Sequence, residues 1–306
     1  MTQILKGSEV ADALSAQTAA RAAGLRSAGV TPTLAIVRVG ERADDISYER
    51  GACKRAEKVG VAVRHVLLAA DVTTKGLIGQ IEALNADSEV HGVLLFRPLP
   101  PHIDEDAVRN TLSVYKDVDG ISDLSLAGVF SGKASGGNGK HGVAGAAGDG
   151  DEDARTAFAP CTPSACMEIL EHCGIEVAGK KAVVVGRSLV VGKPAAMMLL
   201  DRNATVTVAH SRTKDLPAAV RTADIVIACV GRAAMLGADY LASGQVVIDV
   251  GINVTADGSL VGDVERTAAE GTVAALTPVP GGVGAVTTSV LMKHVVQAAQ
   301  AAQTRH

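Results

Sequence analysis

The sequence predicts an α/β protein made of two α/β domains, each with a mainly parallel sheet. Short apolar runs typical of buried strands alternate with longer stretches of helical periodicity along most of the 306 residues. A glycine-rich segment at 131–158 has no apolar periodicity and interrupts this alternation, which resumes near residue 159. We therefore expect one domain over 1–130, a flexible insert at 131–158 and a second domain from 159; the insert is interpreted as a tolerated insertion or a mobile lid.

The first 120 residues alternate helices with buried strands. An alanine-rich helix is expected near 8–28, and the stretch SYERGACKRAEKVGV at 47–61 and TKGLIGQIEALNAD at 74–87 also have helical patterns. Between them lie three apolar runs, TPTLAIVRVG, VAVRHVLLA and VHGVLLF. Strands separated by helices pair in parallel, with helices covering the sheet faces.

The second half repeats this alternation without an internal sequence repeat. CTPSACMEILEHCGI is predicted to be helical, with Thr162 as its N-cap before Pro163. Further helices are expected in KPAAMMLLDR, in LPAAVRTA and over about 281–302. The predicted strands are KKAVVVG, ATVTVAH, DIVIACVG and QVVIDVG.

Composition excludes several classes of protein. Hydrophobic residues make up 47% and charged residues 20%, enough for a substantial core, which must be aliphatic because aromatic residues are only 2%. A net charge of −4 gives no electrostatic reason to bind nucleic acid or a membrane. Five cysteines without a C-x-x-C pair indicate free thiols in a reducing compartment, with no disulfide framework and no metal site. With neither a signal-peptide pattern nor a long apolar run, these features predict a cytoplasmic protein.

A dinucleotide site is predicted where the strand AVVVG runs into GRSLVVGKP. Gly186 ends this strand and Gly192 precedes a helix, so backbone N–H groups and the helix dipole can face a phosphate. The glycine spacing departs from G-x-G-x-x-G, with Ser188 in the middle position, and a plain strand–helix turn is the alternative interpretation.

The next strand indicates which dinucleotide is bound. It ends in His210, Ser211 and Arg212, where NAD sites usually carry an acidic residue. Together with Arg187, these donors and positive charges fit a 2′-phosphate, so NADP is favoured over NAD. A merely solvated Arg212 is the alternative.

Seven motifs follow one another between about residues 30 and 300: KDVDG, PCTP, GRSLVVGKP, AHSRT, VIDVGIN, VGDV and TPVPGGVGAVT. In this order they resemble the motifs of the bifunctional methylenetetrahydrofolate dehydrogenase/cyclohydrolase family. The resemblance implies a catalytic domain of residues 1–130 completed by 277–306, a Rossmann-like NADP domain at 159–276, and a homodimer that pairs through the latter. It also implies a tetrahydrofolate derivative as substrate.

The resemblance further implies site residues. Asp119 corresponds to the aspartate that binds the pterin ring, and Tyr48 to the tyrosine that stacks on the p-aminobenzoyl group; by itself, Asp-x-Asp-Gly is also an ordinary turn. The remaining substrate positions are Leu95, Phe96, Arg97, Pro98, Pro280, Gly281 and Gly282. Cofactor positions are Gly186, Arg187, Ser188, Gly192, His210, Ser211, Arg212, Cys229, Val230, Gly231, Gly251, Ile252, Asn253 and Thr287.

The sequence departs from the family where the catalytic lysine is expected. That lysine follows the tyrosine by four positions, one helical turn on the same face, and this position is Ala52. Lys54 points about 200° away, so Lys54, Arg55 and Lys58 are interpreted as a solvated basic face. Phe96 occupies the position of the family's supporting glutamine, and Arg97 that of a leucine; Ala285-Val286 replaces Pro-Met.

These features predict an NADP-dependent 5,10-methylenetetrahydrofolate dehydrogenase in which cyclohydrolase activity is weak or absent. Hydrolysis of the methenyl cation needs a proton acceptor, whereas hydride transfer mainly needs close alignment of the substrate with the nicotinamide. The alternatives are the same fold acting on another one-carbon folate or a related anionic compound, and a folate- or nucleotide-binding protein without turnover. An amino-acid or shikimate-type dehydrogenase is a more distant possibility.

Overall fold

The computed structural model describes residues 1–132, 134–135 and 157–304. These residues form two compact units. The six-stranded unit contains residues 1–12 and 162–287, and the three-stranded unit contains 13–132, 134–135, 157–161 and 288–304. Both have parallel sheets with helices between the strands, which confirms the predicted fold class. Most of the predicted flexible insert lies outside the described residues, at 133 and 136–156.

Helices and strands alternate along the chain, and each one expected from the sequence is present. The strands are β1 Gln3–Ile4, β2 Thr33–Val39, β3 Ala62–Leu68, β4 Gly92–Leu95, β5 Ala134–Ser135, β6 Ala157–Phe158, β7 Lys181–Val185, β8 Thr205–Ala209, β9 Ile225–Ala228, β10 Val246–Asp249, β11 Asn253–Val254, β12 Leu260–Val261 and β13 Ala275–Leu276. The helices are α1 Gly7–Ser27, α2 Ala43–Val59, α3 Thr74–Ala86, α4 Glu105–Thr111, α5 Asp123–Phe130, α6 Cys161–His172, α7 Gly192–Leu200, α8 Leu216–Arg221, α9 Arg266–Ala269 and α10 Val283–Thr304.

The three-stranded unit is built around β2, which pairs in parallel with β3 on one side and β4 on the other. β2 and β4 are almost wholly buried, as expected for apolar runs covered on both faces. β3 and β4 are the two edge strands, and β3 is the more accessible, with every residue half-buried or exposed. Because β2 and β4 are parallel, the segments that follow their carboxyl ends lie at one edge of the sheet.

The six-stranded unit has the strand order β1-β13-β10-β9-β7-β8, and all of its pairs are parallel. Val185 is in register with both Ala209 and Ala228, and Ala228 with Asp249. The carboxyl ends of β8, β7, β9 and β10 therefore meet at one edge. A buried cluster made of valine, leucine and alanine packs against this sheet, as the scarcity of aromatic residues predicts.

Three features differ from the sequence expectations. α6 begins at Cys161, so Thr162 lies within its first turn and is not its N-cap. The short elements α4, α5, α9, β1, β5, β6, β11, β12 and β13 were not predicted. Residues 1–12 and 277–287 group with the six-stranded unit, whereas the expected boundary assigned them to the other domain. The reason is that β1 pairs with β13 and the Gly7 N–H donates to the Gly281 carbonyl at 2.8 Å.

Candidate active site

Helix α2 carries Tyr48 at the border of its buried face. Five residues of this helix are buried with helical spacing: Asp45, Glu49, Ala52, Ala56 and Val59. Ala52, the position where the resemblance places the family's lysine, is 0% exposed and faces the interior with only a methyl group. The Tyr48 and Phe96 rings meet in a T-shaped arrangement, with a centroid distance of 5.7 Å and an interplanar angle of 83°. The two aromatic residues thus form one wall of the candidate substrate site.

The lysines of α2 lie outside this wall. Lys54 and Lys58 are exposed, in agreement with the predicted basic face. Arg55 is half-buried, and its Nη1 donates to Ser15 Oγ at 3.1 Å. At about 100° per residue, Lys54 and Lys58 point about 160° and 120° away from Ala52, whereas Arg55, three positions on, lies within about 60° of it. Arg55 thus departs from the predicted solvated face.

Glu49, next to Tyr48, fastens α2 to the sheet. Its Oε2 accepts from Nε of Arg38 on β2 at 2.9 Å, and its Oε1 lies 2.6 Å from Nδ1 of His65 on β3. Arg38 and Glu49 are both buried, so their charges are paired in a site with little solvent screening. The ion pair therefore fixes the rotation of α2 about its axis and with it the direction of Tyr48.

Asp119 is the carboxylate whose charge acts on Tyr48. Burial, then the charge of Asp117, raises the pKa of Asp119 to about 6, against the opposing effects of Arg97 and of hydrogen bonds with Cys161. Tyr48 as a whole is 38% exposed, yet burial of its phenol group, and then Asp119 and Cys161, raises its pKa. The charge of Asp119 thus acts on Tyr48, and these are the two residues predicted to hold the folate.

Asp117 has a structural role instead. It is fully buried and accepts hydrogen bonds from the Ile121 N–H at 3.0 Å, the Ser122 N–H at 2.8 Å and Ser125 Oγ at 2.7 Å. These bonds hold the turn that carries Asp119 against the start of α5. Of the two aspartates in KDVDG, Asp117 is thus used to hold the turn, and Asp119 is the one predicted to bind a ligand.

Cys161 and His294 support the residue before Asp119, and the sequence did not identify either as a site residue. The Cys161 thiol donates to the Val118 carbonyl at 3.3 Å, and Nδ1 of His294 donates to the same oxygen at 2.8 Å. His294 is fully buried, and burial lowers its pKa to about 4, so the ring is neutral near pH 7. The PCTP motif could have pointed to Cys161, whereas His294 on α10 has no sequence signal.

Arg97 follows strand β4 and brings a positive charge to this region. Its Nη1 donates to Glu105 Oε1 at 3.2 Å, and Glu105 Oε2 also accepts from the Leu99 N–H at 2.9 Å. The Arg97 charge lowers the pKa of Asp119. Of the remaining predicted substrate residues in this unit, Leu95 is buried and Pro98 is exposed.

The predicted cofactor turn lies at the carboxyl edge of the six-stranded sheet. A Cβ on Gly186 (φ +132°) would lie 2.3 Å from the Cys229 carbonyl oxygen, and a Cβ on Gly192 would lie 2.5 Å from the Gly186 carbonyl oxygen. Both positions therefore need glycine for close packing of the strand, the turn and α7. Ser188 Oγ accepts from the N–H of Gly192, the first residue of α7, at 3.2 Å.

A buried aspartate shapes the neighbouring loop after β9. Asp263 is 0% exposed and accepts from three consecutive N–H groups, those of Val230 at 2.6 Å, Gly231 at 2.9 Å and Arg232 at 2.8 Å. Asn253 Nδ2 adds a fourth bond to Asp263 at 3.0 Å, so this asparagine has a bonding role. Asp249 in turn accepts from the N–H groups of Gly251, Asp263 and Val264, each at 2.9 Å.

The residues expected near the adenosine ribose follow the ends of two strands, with Arg187 after β7 and His210, Ser211 and Arg212 after β8. Ser211, Arg212 and Arg187 are exposed, and His210 Nδ1 accepts from the Arg212 N–H at 3.2 Å. Ile252 is 64% exposed, Cys229 and Val230 are half-buried, and Thr287 is buried. Pro280, Gly281 and Gly282 also belong to the six-stranded unit, whereas Tyr48 and Asp119 belong to the three-stranded unit.

Among the described residues, no cluster of three or more histidine, cysteine or acidic side chains could hold a metal ion. Over the same residues, no helix has the length and apolar character needed to cross a membrane.

A parallel sheet with a glycine turn and donor groups at one edge, joined in one chain to a second α/β unit with an aromatic and carboxylate site, defines a two-domain dinucleotide-dependent enzyme. The family model of the tetrahydrofolate dehydrogenase/cyclohydrolase NAD(P)-binding domain matches residues 160–303, and that of the catalytic domain matches residues 5–119. The chain belongs to this family and is an enzyme of it.

Individual relatives and solved structures are similar to this chain over nearly its whole length. The chain is 45% identical over 298 residues to bifunctional protein FolD 1 of Desulfitobacterium hafniense (strain Y51), covering 97% of this chain and 99% of the relative. It is also similar to the FolD methylenetetrahydrofolate dehydrogenase/cyclohydrolase structure from Campylobacter jejuni (TM-score 0.88, 32% identity, 100% of both chains). The Trypanosoma brucei FolD structure, complexed with NADP and an inhibitor, gives a TM-score of 0.84 at 32% identity, with 98% of this chain and 97% of that chain covered.

Proposed function

We propose that the protein oxidises 5,10-methylenetetrahydrofolate to the methenyl compound with NADP and has lost most of the cyclohydrolase step. The family and its relatives support the dehydrogenase activity, the folate substrate and NADP as cofactor. The observation that carries the loss of hydrolysis is Ala52, a fully buried methyl group one helical turn after Tyr48.

No neighbouring group on this wall is suited to replace a lysine base. Tyr48 and Cys161 have raised pKa values and are protonated near pH 7. Asp119 is ionised at that pH and is assigned to the pterin ring, whose amide N–H and amino group one carboxylate can accept together. Phe96 offers no polar atom where the family has glutamine. A water molecule attacking the methenyl carbon therefore lacks a proton acceptor.

Hydride transfer does not need this base. In the proposed complex, Tyr48 packs against the p-aminobenzoyl ring and Asp119 orients the pterin. NADP would lie along the edge formed by Gly186–Gly192, His210–Arg212, Cys229–Gly231, Gly251–Asn253 and Thr287. When bound, NADP supplies the hydride acceptor, and the protein's contribution is alignment and electrostatics.

The assay measures both half-reactions on purified protein. We expect NADPH formation from methylenetetrahydrofolate and NADP, with hydrolysis of added methenyltetrahydrofolate no faster than in buffer. The Ala52→Lys, Phe96→Gln double variant should gain hydrolysis, and Lys54→Ala, an exposed lysine on the same helix, serves as the matched control and should change neither reaction. Methenyl hydrolysis by the unmodified protein as fast as its NADPH formation would contradict the proposal, and absence of NADPH formation would overturn the dehydrogenase assignment.

We also propose a cytoplasmic homodimer that pairs through the six-stranded unit. β8 is an edge strand of that sheet, and three of its five side chains are exposed, which leaves a strand edge available to a second copy. The free cysteines fit a reducing compartment. Light scattering at increasing dilution measures the oligomeric state, and a stable monomer would contradict the pairing.

A further inference from the structure

Arg97 has a donor that the protein itself leaves unused. Among the described residues, its Nε–H is buried without a hydrogen-bond partner, while its Nη1 is bonded to Glu105. A buried donor without a partner is costly, because the group has lost its water and gained nothing in return. An acceptor on a bound ligand would remove this cost.

The location of Arg97 restricts which ligand atom it can meet. Arg97 directly follows Phe96, whose ring contacts Tyr48, and its charge acts on Asp119. Glu105 holds the guanidinium and also accepts from the Leu99 N–H, so the arginine is fixed to the loop that follows β4. One wall thus presents a carboxylate acceptor and, near it, a guanidinium donor.

The polar edge of a pterin has a complementary order of groups. The 2-amino group and the N3–H are donors, and the adjacent 4-carbonyl oxygen is an acceptor. If Asp119 accepts from the first two, the carbonyl needs a donor beside that carboxylate, and Phe96 cannot provide one. We propose that Arg97 donates to the 4-carbonyl oxygen of the pterin ring and so selects a 4-oxo ring over a 4-amino ring. This inference rests on the proposed function, because it assumes that folate binds at Asp119.

The test compares the affinities of tetrahydrofolate and its 4-amino-4-deoxy analogue, which carries a donor in place of the acceptor. The ratio of the two dissociation constants is measured by calorimetry for the unmodified protein and for Arg97→Leu. Arg97→Leu also removes the charge that lowers the pKa of Asp119, so Arg97→Lys, which keeps that charge, is measured beside it to separate this effect from loss of the hydrogen bond. A hydrogen bond from a charged donor implies that Arg97→Leu lowers the preference for the 4-oxo ring by about 10- to 100-fold.

Three further variants isolate the hydrogen bond from charge and folding effects. Glu105→Gln keeps the Arg97 charge but loosens its position, so it should lose part of the preference. Arg97→Lys keeps the charge without the planar donor array, gives an intermediate ratio, and provides a second measurement if Arg97→Leu folds poorly. Arg64→Leu, which removes an arginine paired with Asp87 in the same unit, is the matched control and should leave the ratio unchanged.

An unchanged ratio in both Arg97 variants would overturn the inference. Failure of the proposed function gives a different result, since it would appear as absence of NADPH formation by the unmodified protein. Normal NADPH formation with an unchanged ratio would therefore defeat only the role of Arg97.

Discussion

Replacing Asp263 should destabilise the six-stranded unit and weaken NADP binding together. Its carboxylate accepts four hydrogen bonds at 2.6–3.0 Å, three of them from the consecutive N–H groups of 230–232. A hydrogen bond to a charged group contributes about 1.5–3 kcal/mol. Gly231 and Arg232 are exposed, so part of this is regained from water when the carboxylate is removed. We expect Asp263→Ala to lower the free energy of unfolding by about 3–5 kcal/mol.

The free energy of unfolding of Asp263→Asn should lie between those of the unmodified protein and Asp263→Ala. Its amide oxygen can accept from part of the donor set, while its NH₂ group faces donors that it cannot pair with. The loop it holds contains Val230 and Gly231, two proposed cofactor residues, so the KM for NADP should rise about tenfold or more in Asp263→Ala, equivalent to about 1.4 kcal/mol of binding. The KM for the folate should change much less.

Urea denaturation followed by circular dichroism gives the stability, and initial rates of NADPH formation give the two KM values. The control is Asp257→Ala, which removes an exposed aspartate between β11 and β12 and should cost less than about 1 kcal/mol. If Asp263→Ala were no less stable than Asp257→Ala, the three N–H bonds would not be holding the loop, and the reasoning would be wrong.

Two further predictions concern pH. Burial lowers the pKa of His294 to about 4 in the folded protein. Between about pH 6.5 and pH 4, only the unfolded chain therefore takes up this proton. The stability of the wild type relative to His294→Asn should be greatest above about pH 6.5 and decline by roughly 3 kcal/mol towards pH 4. Urea denaturation across this range measures the difference, and a constant difference would contradict it. The pKa of Asp119 rises to about 6, and its carboxylate is the proposed acceptor, so the KM for the folate should increase as pH falls below about 6. Asp119→Asn should remove that dependence in steady-state assays; a wild-type KM that is flat across pH 6 would count against it.

The longer elements were predictable because each has a distinct pattern. β2 and β7 are apolar runs of five to seven residues, and α2 has a buried stripe with helical spacing. Two-residue strands such as β1 and β13 are too short for any pattern, and they pair across about 270 residues of chain. The unit boundary depends on that pairing, so the sequence alone could not locate it.

The candidate site was predictable where spacing within one helix determines it. Counting from Tyr48 identified Ala52, and the structure buries that position. Cys161, His294 and Asp263 act through backbone groups of distant segments, and such contacts leave no local pattern in sequence. Arg97 was noted as a departure, but its unpaired Nε and its bond to Glu105 could be seen only in three dimensions.

The ion pair of Glu49 and Arg38 has a consequence for the entropy of binding. An aromatic ring on a mobile helix would lose conformational freedom when a ligand packs against it, and ordering a side chain costs about 0.5–1.5 kcal/mol. Here the residue next to Tyr48 is held at 2.9 Å by a buried guanidinium on the central strand. The Tyr48 ring is thus ordered before a ligand binds. A lysine placed at position 52 would likewise be added to a helix whose orientation is already set.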